Sequence, residues 1–184
     1  MKILVFSDSH EAVEIMIKVA EREKADAIFH LGDHLNDAAE LEKHVDMPVY
    51  RVTGNTDKVD ETAGDMFEKF VKIGDKCFLL MHGHQLQNPE ENMEEMLGWG
   101  KKGGADVILF GHTHQPFLRG IFEDDGNNCF KRKWLFNPGS IKPVTWTYCE
   151  LSDKWNEHAA TSSYGIIHLN DESCNLRFEI ADID

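Results

Sequence analysis

Two aspartates, one asparagine and five histidines fall into five short clusters: Asp8-x-His10, Gly32-Asp33, Gly54-Asn55, His82-x-His84 and Gly111-His112-x-His114. Carboxylate and amide oxygens favour Mn, Mg or Fe, while imidazole suits Zn, Fe, Mn or Ni. No cysteine stands among them, which argues against a soft thiolate centre. Leaving His84 aside, seven donors (Asp8, His10, Asp33, Asn55, His82, His112 and His114) are more than one such ion usually takes from protein. They suit two divalent ions about 3.5–4 Å apart that share a carboxylate. Any one cluster alone is uninformative, because a lone Asp-x-His or Gly-Asp is mostly a cap or a loop. Their common position in the chain is what carries weight.

Each cluster follows a short apolar run. Lys2–Phe6, Ala27–Leu31, Val49–Val52, Lys76–Met81 and Val107–Phe110 read as strands, and the clusters stand at their carboxyl ends. In a mainly parallel sheet those ends converge on one edge, where ligands bind. Between the early strands, Glu11–Lys24 carries Val13, Met16, Ile17 and Ala20 at helical spacing, and Leu35–His44 reads as a second helix. Strands separated by helices mean βαβ units and a parallel sheet. Later, Met66–Ile73 and Lys76–Met81 flank Gly74-Asp75, and a polar helix is expected over Pro89–Lys101. Phe117–Phe122 and Phe130–Phe136 flank a turn composition at Asp124–Asn128, and Tyr164–Leu169 and Leu176–Ile180 read as a closing antiparallel pair. The expected fold is α/β: a two-sheet α/β sandwich, mixed, parallel early and antiparallel late. With no linker, low-complexity stretch or repeat, one domain over 1–184 is expected.

Composition narrows the partners. The chain has 184 residues, of which 41% are hydrophobic, and a net charge of −14. Such a surface repels long polyanions, so long nucleic acid is not expected, whereas bound cations would locally reverse the sign for a small phosphate. No apolar run approaches the roughly 18 residues that a membrane span needs. The stretch after Met1-Lys2 is too short for a secretory signal, and Cys77, Cys129, Cys149 and Cys174 lie far apart and read as structural thiols. A cytoplasmic location is expected.

The ordered set Asp8-x-His10, Gly32-Asp33, Gly54-Asn55, His82 and Gly111-His112-x-His114 resembles the calcineurin-like metallophosphoesterases. With Asn137-Pro138-Gly139-Ser140, it looks like the small bacterial and archaeal phosphodiesterase branch. The resemblance runs from about Lys2 to Ser140. It implies that Asp8, His10, Asp33 and His114 hold one metal and Asp33, Asn55, His82 and His112 the other, with Asp33 bridging. Manganese is the first expectation for the two ions, with Fe, Zn, Ni or Mg as alternatives. The implied reaction is hydrolysis of a small phosphate ester, most readily a diester, by a hydroxide held between the metals. Asp33, Asn55 and His84 are the residues expected to act on the reaction, His84 by touching the phosphate or the leaving group.

Other residues near the clusters read more plainly. His34 is expected to be exposed or to sit behind the ligands, and Asp37 to supply first-turn helix polarity. Asn137-Pro-Gly-Ser is by composition a turn, brought near the site only by the resemblance. The chain also departs from the family. Many relatives carry a histidine directly after the metal-binding Asn, where it can protonate the leaving group, and others a cysteine; here Thr56 and then Asp57 follow Asn55. The segment 141–163, with Trp146, Tyr148 and Trp155, is longer and more aromatic than usual, and a lid, a specificity wall and a homodimer contact all remain open for it. The rival functions are a phosphomonoesterase of the same fold and a non-catalytic metal-binding scaffold similar to the retromer subunit, in which the first-motif histidine is lost; here His10 is present.

Overall fold

The computed structural model describes residues 1–59, 66–86, 88–124, 130–142, 147–149, 154–156, 162–170 and 175–183. The elements follow in the order β1 (Lys2–Phe6), α1 (Val13–Glu23), β2 (Ala27–His30), α2 (Leu35–Leu41), β3 (Val49–Arg51), β4 (Glu68–Ile73), β5 (Lys76–Met81), α3 (Met93–Lys102) and β6 (Val107–Leu109). Then come β7 (Pro116–Asp124), β8 (Phe130–Pro138), β9 (Thr147–Cys149), β10 (Lys154–Asn156), β11 (Ser163–Asn170) and β12 (Asn175–Asp182). One sheet has the order β12-β11-β1-β2-β3 and the other β4-β5-β6-β8-β7, while β9 and β10 form a two-stranded sheet.

Alternation along the strands explains the layers. Ile3 and Val5 of β1 join Phe29, Phe78, Leu80, Val107 and Leu109 in a core between the two sheets. Leu4 and Phe6, the other face of β1, pack with Met16, Val19 and Ala20 of α1 and Leu41 of α2. On the far side, Leu79 and Met81 of β5 and Ile108 of β6 pack on Met96 of α3. Both faces of the central strands are thus covered, which is why these strands read as continuous apolar runs rather than alternating ones.

The expected α/β sandwich is present, with one correction to its second half. β1, β2 and β3 are parallel, as the βαβ spacing requires. The late sheet is not antiparallel throughout: β5, β6 and β8 also run parallel, with β4 and β7 antiparallel at the edges. α3 makes the β5-to-β6 crossover, and β7 steps to the edge before β8 returns beside β6. The site depends on this correction, because it points the carboxyl ends of β5, β6 and β8 the same way.

Element ends also moved. Helix α1 begins at Val13 rather than Glu11, because His10 and Glu11 stand at positive φ and cannot extend a right-handed helix. Helix α2 stops at Leu41 rather than His44, and α3 starts at Met93 rather than Pro89, after a separate turn in which Asn92 N–H donates to the Asn88 carbonyl. The antiparallel pairing of β9 with β10 inside 141–163 was not read from sequence. Trp146, Cys129, Cys174 and most of the expected 124–128 turn lie outside the described residues. Among those residues, no helix is long and apolar enough to cross a membrane.

Candidate metal centre

The loops after β1, β2 and β3 of one sheet meet those after β5, β6 and β8 of the other. The meeting gathers all seven candidate ligands. His82, fully buried, donates from Nδ1 to the Leu31 carbonyl at 2.8 Å, which turns Nε2 toward the site. Three side-chain oxygens face that nitrogen: Asn55 Oδ1 at 3.1 Å, Asp33 Oδ1 at 3.4 Å and Asp8 Oδ1 at 3.9 Å. A second group forms beside it from Asp8, His10 and His114, with His114 Nε2 3.0 Å from Asp8 Oδ1 but not in hydrogen-bonding alignment with it. His112 stands next to these donors, its ring 5.2 Å from that of His82. His84 lies further out, its ring 5.5 Å from that of His82, and His34 flanks His10 at 4.9 Å.

Several of these polar atoms have nothing to bond. Among the described residues, Asp8 Oδ1, His10 Nε2, His114 Nδ1 and His84 Nδ1 are buried without a hydrogen-bond partner. Orphans of this kind normally cost about 1–3 kcal/mol each. A ring of unpaired oxygen and nitrogen lone pairs is the donor set that divalent ions take, so the residues fit such ions. Charge already polarises the cluster. Burial alone would raise the Asp8 and Asp33 carboxyls, yet His114 for Asp8 and His82 for Asp33 hold them below the ordinary range. Burial likewise opposes a proton on His82, but Asp33 and Asp8 more than offset it and push its pKa up. For His10, His84 and His112, burial dominates and lowers the pKa, which favours neutral, ligand-ready rings.

The backbone is strained where the chemistry sits. Among the described residues, the non-glycines at positive φ are Asp8, His10, Glu11, Lys24, Asp33, His34, His112 and His114, with φ from 43° to 69°. All but Lys24 lie in the site loops. Left-handed backbone is uncommon for such residues and gathers at functional sites, where the surrounding structure holds it in place.

That holding network is what sequence reasoning missed. Ser7 donates to Asp8 Oδ2 at 2.5 Å, and the His112 N–H donates to the same oxygen at 3.2 Å. Asp37 stands in the first turn of α2 as expected, but it is buried and does more: its Oδ2 accepts from Ser9 Oγ at 2.7 Å and Glu11 N–H at 2.8 Å, clamping the Asp8–His10 loop. His30, buried and pulled down to about 4, accepts from Gly32 N–H on Nδ1 and so donates from Nε2 to Ser9 Oγ at 3.1 Å. Asp57 accepts from Asp33 N–H, Gly54 N–H and Leu35 N–H, tying the loops after β2 and β3 together. Asn137 is more than a turn residue: its Nδ2 donates to the Gly111 carbonyl at 3.0 Å, while Ser140 Oγ donates to the Asp8 carbonyl at 2.9 Å. The only signal for these in sequence was their nearness to the clusters.

Two glycines are dictated by close approach rather than by turns. A Cβ on Gly54 would run into Asp33 Oδ1 and Asp33 N, and one on Gly111 into Ser7 Oγ. Gly54→Ala is therefore expected to lower stability by about 1–3 kcal/mol, as overpacking does, and to displace the Asp33 carboxylate. Thermal melts with and without manganese check it: the variant should lose most of the stabilisation that the metal gives the wild type.

Residues 1–171 match the calcineurin-like phosphoesterase superfamily domain. A probable metallophosphoesterase of Bacillus subtilis is 30% identical over 183 residues, covering 97% of this chain and 90% of that protein. A phosphodiesterase of Methanocaldococcus jannaschii is 28% identical over 139 residues, 67% of this chain and 77% of that one. Vps29 of Entamoeba histolytica, in a crystal structure with zinc, is similar in fold, with a TM-score of 0.69, 20% identity and 100% of both chains covered. The ordered donors, the two-sheet sandwich that aims them at one place and the match along the sequence agree: this chain belongs to the calcineurin-like phosphoesterase superfamily.

Proposed function

We propose that this chain is a phosphodiesterase that works with two divalent ions, manganese first among them, on a small phosphate ester in the cytoplasm. The crowding around His82 Nε2 carries the reading. With Nδ1 committed to Leu31, a proton on Nε2 could serve one of the three facing oxygens but not all, and Asp8 Oδ1 stays without a donor. A cation satisfies them together. The zinc complex of Entamoeba Vps29 and the phosphodiesterase of Methanocaldococcus jannaschii support the same direction.

Asp8, His10, Asp33 and His114 would hold one ion, and Asp33, Asn55, His82 and His112 the other. When bound, such ions supply Lewis-acid activation of water and of the phosphoryl group. Asp8 belongs to both clusters as they stand, yet its Oδ2 is committed to Ser7 and the His112 N–H, which leaves Oδ1 alone for a cation. Asp33, whose Oδ1 accepts from the Thr56 N–H at 3.0 Å, would be the carboxylate shared by the two ions, as the family resemblance implies. His84 stands beside the donors and is assigned to the phosphate or the leaving group.

Elemental analysis after manganese loading should give close to two ions per chain; a ratio that never passes one, with metal in excess, would sink the dinuclear reading. Screening the loaded protein against cyclic nucleotides, glycerophosphodiesters and nucleotide monoesters should show diesters cleaved faster. Faster monoester cleavage would reassign the protein as a monoesterase. No turnover of any ester would favour a metal-binding scaffold, the reading that the likeness to Vps29 keeps in view.

A further inference from the structure

Beside the donor cluster stands exposed apolar surface that none of the three cores uses. Phe67 is 45% exposed and Met66 49%, and neither packs into the clusters that build the sandwich. Their backbone is nevertheless fixed in relation to the site. Thr53 N–H donates to the Met66 carbonyl at 2.8 Å, which ties the pair to the loop that carries Gly54 and Asn55. Immediately afterwards β4 begins at Glu68 and anchors the other side.

The side chain of Phe67 extends the site rather than merely neighbouring it. Its ring lies 5.8 Å from that of His84, which in turn is 5.5 Å from His82 and 6.3 Å from His112. A continuous surface of rings therefore leads from the donors out to solvent and ends on an open aromatic face. Every nucleobase has a π-face that stacks on such a ring whatever its hydrogen-bonding edge. A net charge of −14 disfavours a long polyanion at this rim and leaves a small ligand, with its phosphate at the donors and a flat group on Phe67.

We infer that Phe67 is a stacking platform that selects phosphate esters carrying a flat aromatic group, a nucleobase being the biological instance. The inference rests on the phosphodiesterase reading and adds which ester the site prefers.

Binding tests it apart from turnover. Calorimetry on the manganese-loaded protein should show AMP bound about tenfold or more tighter than ribose 5-phosphate, which has the same phosphate but no base. Phe67→Ala should bring the two within about twofold of each other, and Phe67→Trp should restore the difference. The ring makes no core contact, so both variants are expected to melt near the wild type. Kinetics give the second readout. Thymidine 5′-(2,2,2-trifluoroethyl phosphate) and 2-deoxyribose 5-(2,2,2-trifluoroethyl phosphate) share an activated, non-aromatic leaving group and differ only in the base. The nucleoside ester should be favoured through a lower KM rather than a higher kcat, and Phe67→Ala should erase that preference. Equal binding of the two monophosphates by the wild type, or a preference that survives Phe67→Ala, would overturn the platform. A base preference in binding with no turnover of either ester would leave the platform standing and overturn the phosphodiesterase reading; turnover without preference would do the reverse. If neither phosphate binds the loaded protein, both fall.

Discussion

Asp33→Asn is expected to abolish measurable phosphodiesterase activity while leaving the protein folded. The substitution keeps Oδ1 as an acceptor for the Thr56 N–H, now 3.0 Å away, so the loop after β3 stays in place. What it removes is charge. Asp33 Oδ1 faces His82 Nε2 at 3.4 Å, and Asp33 is the carboxylate assigned to bridge the two ions. A neutral amide offers one oxygen and no charge where the carboxylate could serve two cations, so both positions are weakened at once. The fall in kcat/KM should therefore exceed the roughly 10–100-fold that loss of an outer partner of a metal ligand costs. Bound manganese should drop to one ion or none. Asn137→Ala, which removes a donor to the Gly111 carbonyl but touches no candidate ligand atom, should fall within that 10–100-fold range. His84→Ala should cost less than Asp33→Asn and leave the metal content near two. Equal losses for Asp33→Asn and His84→Ala, with equal metal content, would show that the roles are misassigned.

A steep dependence on the leaving group is the second large effect. Expelling an alkoxide needs a proton in the transition state, and a positioned acid is typically worth about 10²–10⁴-fold. Thr56 occupies the place after Asn55 where many relatives carry a histidine, and a hydroxyl is far too weak an acid to replace an imidazolium. Asp57 does not fill the gap. Its Oδ2 accepts from Asp33 N–H at 3.0 Å and Gly54 N–H at 2.8 Å, and its Oδ1 from Leu35 N–H at 2.7 Å, so the carboxylate is used as an acceptor throughout. In a series of aryl methyl phosphodiesters, log kcat/KM should fall steadily as the phenol pKa rises, and simple dialkyl esters should be slower still. A flat series would show that an acid acts; with Asp57 engaged as an acceptor, His84 would be the group to supply it, and His84→Ala should then steepen the series.

The two experiments probe different parts of the site. The first asks whether Asp33 carries charge to the metals, and the second whether a group beside Asn55 can donate a proton. They also separate the metal assignment from the chemistry of departure, since a metal-loaded protein with a flat series would keep the first and lose the second.

Sequence alone determined which residues could bind metal and at which strand ends they stand. Ligand chemistry belongs to the residue type, and strands such as Lys2–Phe6 and Lys76–Met81 are legible because a strand covered on both faces is a short apolar run. It also placed His82 and His112 after strands, though not that β5, β6 and β8 run parallel in a sheet of their own. That depends on how α3 and β7 route the chain, which no local pattern records. Only the tertiary structure decided how donors from two sheets are held. His82 is aimed by the Leu31 carbonyl, the Asp8–His10 loop by Asp37 from α2, and the Gly111–His114 loop by Asn137 at the end of β8. Asp37 reads in sequence as ordinary helix-end polarity and Asn137 as a turn. Asp37 and Asn137 acquire their tasks from partners 26 positions away along the chain, and His82 from one 51 positions away. The glycines tell the same story: Gly54 and Gly111 look like turn residues, and it is the closeness of Asp33 and Ser7 in space that forbids a side chain there.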